Sequence, residues 1–152
     1  MLTSLRVFAC ICSLLVHATS GAQAGAPRGA YISPLLPGHH RLALHGVPAH
    51  YEVMGDGPLL LVPAPRDDLA ELSRHFTLVV CDLPASAAGA DKADHLDALR
   101  RYLKREKVDL LGDAQGTASA YASRYPDRVR RLMPYRADAS AERIVQFFST
   151  PE

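Results

Sequence analysis

Gly112-Asp113-Ala114-Gln115-Gly116 stands between the apolar run Val108–Leu111 and a small-residue stretch that starts at Thr117. Two glycines with three residues between them, set between a buried strand and a helix, predict a sharp turn whose middle residue projects over the sheet edge. A serine, cysteine or aspartate there would be a nucleophile, with the following helix N-terminus stabilising the negative charge that develops during attack. The middle residue is Ala114. A methyl group neither attacks carbon nor accepts a proton, and losing a covalent nucleophile leaves only about 10³–10⁴ of the original acceleration, from binding and polarisation. Asp113 is the remaining candidate nucleophile. The turn aims its side chain elsewhere and no histidine follows it in the chain, so the simpler reading is a solvated or helix-capping carboxylate.

Other reactive side chains carry less. All histidines lie at or before His95, and His39, His40, His45 and His50 are dense enough to raise a metal site on a hairpin face. No cysteine accompanies them and no ligand-type spacing is present, so exposed strand histidines and no metal are expected. Cys81 ends an apolar run and reads as a small buried residue. Ser86, Ser119 and Ser123 lack the turn context of a nucleophile. Arg100, Arg101, Lys104 and Arg105 read as the solvated face of a helix. No signature calls for a cofactor.

The elements that must position the turn follow from periodicity. Arg41–His45 and Ala49–Val53 alternate around Gly46-Val47-Pro48 and read as an edge hairpin. From Leu59 the apolar runs become continuous, as in strands buried on both faces: Leu59–Val62, Phe76–Cys81 and Val108–Leu111. A short helical turn is expected over Asp67–His75. Asp91–Lys107 is the strongest helix, with Ala93, Leu96, Leu99 and Leu103 in one stripe, acids early, bases late and Asp91 as N-cap. A helix from Thr117 is stopped by Pro126, Val129–Met133 is a last strand, and Ala141–Phe148 is weakly helical. Strands alternating with helices over short connections imply a parallel sheet with right-handed crossovers.

The 152-residue chain is 48% hydrophobic and 22% charged, enough apolar surface for one folded domain. Residues 1–24 read as a secretory signal: Arg6, the apolar run Val7–Val16, and Ala22-Gln23-Ala24 as the cleavage site. That run is well short of the roughly 20 apolar residues a bilayer span needs, so no stable membrane span is expected after cleavage. Cleavage removes Arg6 and no acid, so the 17 Lys and Arg become one fewer and balance the 16 Asp and Glu. A balanced charge argues against nucleic acid. Only Cys81 survives cleavage, which rules out an internal disulfide in an oxidising, periplasmic or extracellular setting. Residues 25–38, with Pro27, Pro34 and Pro37, read as an irregular lead-in, 39–135 as the domain and 136–152 as a tail.

Taken together, Gly46-Val47, His50-Tyr51-Glu52, Gly55–Pro58, Cys81-Asp82-Leu83-Pro84, Asp91-Lys92, Val108–Gly112, Ala120-Tyr121-Ala122 and Tyr125–Leu132 resemble the α/β-hydrolase superfamily. The resemblance is strongest to its epoxide hydrolase and haloalkane dehalogenase branch and covers about residues 40–135. It implies an Asp or Ser nucleophile, a His-Gly oxyanion turn, a lid, and a later acid and histidine. This sequence departs at each point. The nucleophile position is Ala114, and the oxyanion turn reads Val62-Pro63-Ala64-Pro65, whose prolines offer no N–H, leaving Val62, Pro63, Ala64 and Gln115 as the equivalents. The Gly-x-Gly-x-Ser segment reads Ala85–Gly89, and the chain stops before a lid, with Phe147–Glu152 resembling the approach to one.

The expectation is therefore a partial α/β-hydrolase fold: about six strands, mostly parallel, helices on both faces, no lid. Val129–Met133 should be an exposed edge, implying a protein partner, a homodimer or marginal stability. Three functional readings remain open. The leading one is an exported, catalytically inactive hydrolase-like protein. The others are a weak or partner-completed hydrolase using Asp113, and an exported interaction module using the open edge.

Overall fold

The structure, a computed structural model, describes residues 33–83 and 89–150. The signal segment, most of the lead-in and nearly all of the Ala85–Gly89 segment lie outside the described residues. One six-stranded sheet runs in the order β1-β2-β4-β3-β5-β6. Its strands are β1 (Gly38–Leu44), β2 (Val47–Met54), β3 (Leu59–Val62), β4 (Thr77–Asp82), β5 (Val108–Leu111) and β6 (Val129–Met133). The first two pairings, β1 with β2 and β2 with β4, are antiparallel; β4, β3, β5 and β6 run parallel. The helices are α1 (Leu69–Leu72), α2 (Gly89–Tyr102), α3 (Thr117–Arg124) and α4 (Ala141–Ser149), with a 3₁₀ turn at Pro126–Arg128.

The continuous apolar strands serve two cores at once. Leu61, Val79, Cys81 and Leu110 face α2 and α3, meeting Ala93, Leu96, Leu99 and Tyr121. Their neighbours Leu60, Val62, Leu78, Val80 and Leu111 face the other way, toward Leu72 of α1 and Ile144 and Phe148 of α4. Both faces are thus covered, as the strand pattern requires.

Four local readings are revised. The hairpin turn is His45-Gly46, both at positive φ (50° and 78°), the two-residue form whose twist suits paired strands, so Val47 and Pro48 already belong to β2. α2 ends at Tyr102, not Lys107; Lys104 is left-handed at φ 55°, and the chain needs the following residues to turn back into β5. The weakly helical piece near the C-terminus is a full helix, started by Ser140 accepting from the Arg143 N–H and burying Ala141, Ile144 and Phe148. At the other end the Tyr51 hydroxyl donates to the Pro34 carbonyl at 2.9 Å. The folded unit therefore extends past 39–135 on both sides.

The fourth revision concerns Arg100, which is 7% exposed and not on a solvated face. Its guanidinium donates to Asp97 at 2.9 Å and to the carbonyls of Arg105 and Glu106, tying the end of α2 to the loop that feeds β5. Asp97, itself buried, also accepts from Arg101 at 2.8 Å and from the Tyr121 hydroxyl at 3.1 Å. Burial alone would raise the Asp97 pKa, but the hydrogen bonds from Arg100 and Arg101 override it and hold the carboxyl below its usual range. Burial, and then the Asp97 charge, pushes Tyr121 up to about 12. A second buried carboxylate, Asp109 on β5, takes Arg130 at 3.0 Å and Arg131 at 3.3 Å, both reached because the β5–β6 ladder is bulged at Val108/Asp109.

Asp97→Asn leaves Arg100 buried without its charge partner and should cost about 3–5 kcal/mol in urea unfolding at pH 7. Because the folded state lowers the Asp97 pKa, its contribution is present above the unfolded value near 4 and disappears as pH falls through the folded one. The wild type should lose that increment in acid, and the gap to the variant should narrow below about pH 4.

Candidate functional site

Strands β3, β5 and β6 end on the same side of the sheet, and a cleft of about 650 Å³ opens there. Open α/β sheets form their crevices at the carboxyl ends of the strands, so this is where a ligand would sit. Val62 and Ala64 from the turn after β3, Asp113 and Gln115 from the turn after β5, and Tyr135 and Arg136 from the exit of β6 are among its walls.

The β5–α3 turn is tight because two backbones cross at Gly112. Its N–H donates to the Met133 carbonyl at 2.8 Å, and a Cβ on Gly112 would lie 2.2 Å from the Tyr135 nitrogen. Gly116 closes the turn at φ 72°, donating to the Asp113 carbonyl at 3.0 Å. Asp113 is 7% exposed, and its carboxylate accepts from the Thr117 N–H at 3.2 Å and the Ala118 N–H at 2.9 Å. From three residues ahead of the N-cap, Gly116, its side chain closes the N-terminus of α3, and it is not solvated. Ala114 is exposed at the apex, and among the described residues only His45 and Lys104 are non-glycine residues at positive φ, so the apex backbone is unstrained. Gln115 is exposed, its side-chain oxygen accepting from Lys92 of α2 at 2.9 Å.

Opposite the turn, Val62 and Pro63 are buried, Ala64 is half-buried and Pro65 exposed. Pro63 and Pro65 have no N–H to offer an oxyanion, which leaves Ala64 as the donor between them. Arg66 braces the cleft: its guanidinium grips Asp68 through two bonds of 2.9 Å and reaches the Ala139 carbonyl at 3.5 Å. The hydrogen bonds from Arg66 hold Asp68 below the usual carboxylate range. This brace went unread in the sequence, although Arg66-Asp67-Asp68 is a compact charge pair between a proline turn and a helix.

No histidine is among the residues lining the cleft. Of the hairpin histidines, His39, His40 and His50 border one shallow pocket with Glu52 and Asp82, His39 lying 3.7 Å from Glu52 and His40 stacking on Tyr51 with centroids 4.7 Å apart, whereas His45 meets His95 edge-on at 5.8 Å. Among the described residues no group of three or more His, Cys, Asp or Glu is placed to hold a metal ion. Cys81 is 2% exposed, and burial pushes its thiol up to about 12, so it stays protonated at neutral pH. Ser119 is exposed on α3, as is Ser123; Ser86 lies outside the described residues.

The fold finds counterparts among solved structures. An epoxide hydrolase, CorEH, matches with 25% identity and a TM-score of 0.53, covering 67% of this chain and 45% of that one. The fold is that of the α/β-hydrolases. Naproxen esterase from Bacillus subtilis matches at 18% identity and TM-score 0.55 over 69% of this chain and 48% of its own. Carboxylesterase CesB from the same organism matches at 20% and 0.56 over 67% and 44%. The chain thus spans less than half the length of these α/β-hydrolase structures. No family model and no curated protein matches it. Among the described residues, no helix is long and apolar enough to cross a membrane.

Asp113→Ala should remove the cap from α3, lowering stability by about 1 kcal/mol in urea unfolding. It should also speed amide hydrogen exchange at Thr117 and Ala118 above that of the rest of α3.

Proposed function

We propose that this chain is an exported protein of the α/β-hydrolase fold that binds in its cleft without catalysing hydrolysis. The observation that carries the reading is the occupation of the turn after β5. Its apex is the methyl of Ala114, and the neighbouring carboxylate, Asp113, is spent on the N–H groups of α3. A carboxylate held by two backbone donors at a helix N-terminus is a weak nucleophile, because both the hydrogen bonds and the dipole stabilise its resting charge. It has no histidine beside it in the cleft to activate water for a second step. The two prolines after β3 further reduce the donors available to a tetrahedral intermediate. Export rests on the grammar of residues 1–24, a cationic start, a short apolar run and a small-x-small site.

The competing reading keeps Asp113 as the nucleophile of a weak hydrolase, with a histidine supplied by another chain. Purified protein should show no turnover of p-nitrophenyl esters, epoxides or haloalkanes above buffer. Turnover that Asp113→Asn abolishes would establish the competing reading. Intact mass of the exported form should correspond to a chain starting at Gly25; retention of residues 1–24 would refute export by this signal.

A further inference from the structure

The formal charges around the cleft do not balance. Arg66 and Arg136 bring two positive charges to its lining, and Asp67, Asp68 and Asp113 bring three negative ones, leaving one negative charge over. Both cations are already answered: Arg66 by its two 2.9 Å bonds to Asp68, and Arg136 by Asp138 at 3.3 Å. Of the acids, Asp68 is spent on Arg66, and Asp113 on the Thr117 and Ala118 N–H groups. Asp67 is what remains. It is exposed in the turn between β3 and α1, and among the described residues no hydrogen bond or ion pair holds its carboxylate.

An aromatic ring shares that end of the cleft. The Arg66 pKa is raised first by its hydrogen bond to Asp68, and Tyr135 and Asp67 are both close enough to the same guanidinium to add to it. Both residues follow the carboxyl ends of strands, β6 and β3, so the sheet beneath fixes where they stand. The walls beside them are small and apolar, with Val62, Ala64, Ala114 and Ala139 among them. Such a lining does not suit a hard metal ion, which demands a shell of oxygens. Among the described residues no three ligand-type side chains converge to supply one. It does suit a weakly hydrated organic cation. The carboxylate answers the charge, the ring face attracts it through its quadrupole, and the alanine methyls cover the carbon body.

We infer, on the reading that the cleft binds a ligand, that it takes a small organic ammonium ion with an apolar body, the charged head lying between Asp67 and the Tyr135 ring. An anion of the same shape would meet the unanswered carboxylate, and a neutral molecule would gain neither the ion pair nor the attraction of the ring.

The test uses the purified protein and three probes of one shape: benzyltrimethylammonium, its uncharged isostere neopentylbenzene, and phenylmethanesulfonate as the anion. Amide chemical shifts should move at Ala64, Gln115 and Ala137. The ammonium should bind at least about tenfold more tightly than either of the others, the combined effect of one exposed ion pair and one cation–π contact. Asp67→Asn, at an exposed site whose folding circular dichroism checks, should weaken the ammonium about fivefold and leave neopentylbenzene unchanged. Tyr135→Leu keeps an apolar wall and removes the ring, and should weaken the ammonium about threefold while sparing the neutral probe. Equal binding of the ammonium and neutral probes, tighter binding of the sulfonate, or an ammonium affinity indifferent to Asp67→Asn would overturn the ligand class while the cleft still binds. Shifts confined to residues outside the cleft, or no shift with any probe, would overturn it too. Ester turnover is read separately, and its appearance would sink the non-catalytic reading alone.

Discussion

Strands β3, β4 and β5 meet water on neither face, and that constraint governs where the rest of the chain can go. Each residue along them must find a helix on one side or the other, so the short runs Leu59–Val62, Thr77–Asp82 and Val108–Leu111 force α2 and α3 onto one face and α1 and α4 onto the other. Helices on opposite faces are reached through turns at the strand ends, and the cleft is the space left where those turns part. The buried carboxylates fit the same logic. Asp97 fastens the end of α2 to α3 through Arg100 and Tyr121, and Asp109 holds the flank of the sheet through Arg130 and Arg131. Each is surrounded by enough donors to offset the cost of leaving water.

The turn after β5 separates what the backbone needs from what the apex side chain supplies. Gly112 is still required, because the β6 exit crosses it within contact distance of any side chain. The apex residue is under no such demand: Ala114 is exposed and its backbone does not take the positive φ that would require glycine. Between the two, Asp113 has a stabilising job, closing the helix from within. A helix N-terminus satisfied by its own chain has correspondingly less field to lend to a developing anion from outside. The Arg66–Asp68 brace reinforces this, spending a cleft cation on a neighbour.

Much of this was legible from residue order. Continuous apolar runs gave the buried strands, the glycine pair gave the turn, and Val129–Met133 was bounded to the residue. What the pattern hid were interactions between distant segments. Arg100 has the composition of a surface residue in a cationic cluster, and only the approach of Asp97 and the Arg105 and Glu106 carbonyls makes its burial favourable. α4 has a modest apolar count, and its stability comes from Ile144 and Phe148 meeting a sheet face assembled from residues far upstream. The hairpin histidines could be read as a cluster because they are close in sequence, but β-strand alternation sends His39 and His40 to opposite faces. Residue order starts the hairpin turn one residue late and ends it two residues late, because left-handed φ at His45 is uncommon for a non-glycine residue.

The thiol of Cys81, the one cysteine among the described residues, is sealed in β4 between the carbonyl of Val62 and the α2/α3 layer, with a consequence for how the molecule ages. Oxidants and small disulfides do not reach this sulfur while the sheet is closed, so its oxidation state is indifferent to the redox poise around it. Any mixed disulfide would record a moment when β4 had parted from its cover. Such adducts would accumulate with the opening rate, giving each molecule a chemical history of its own breathing.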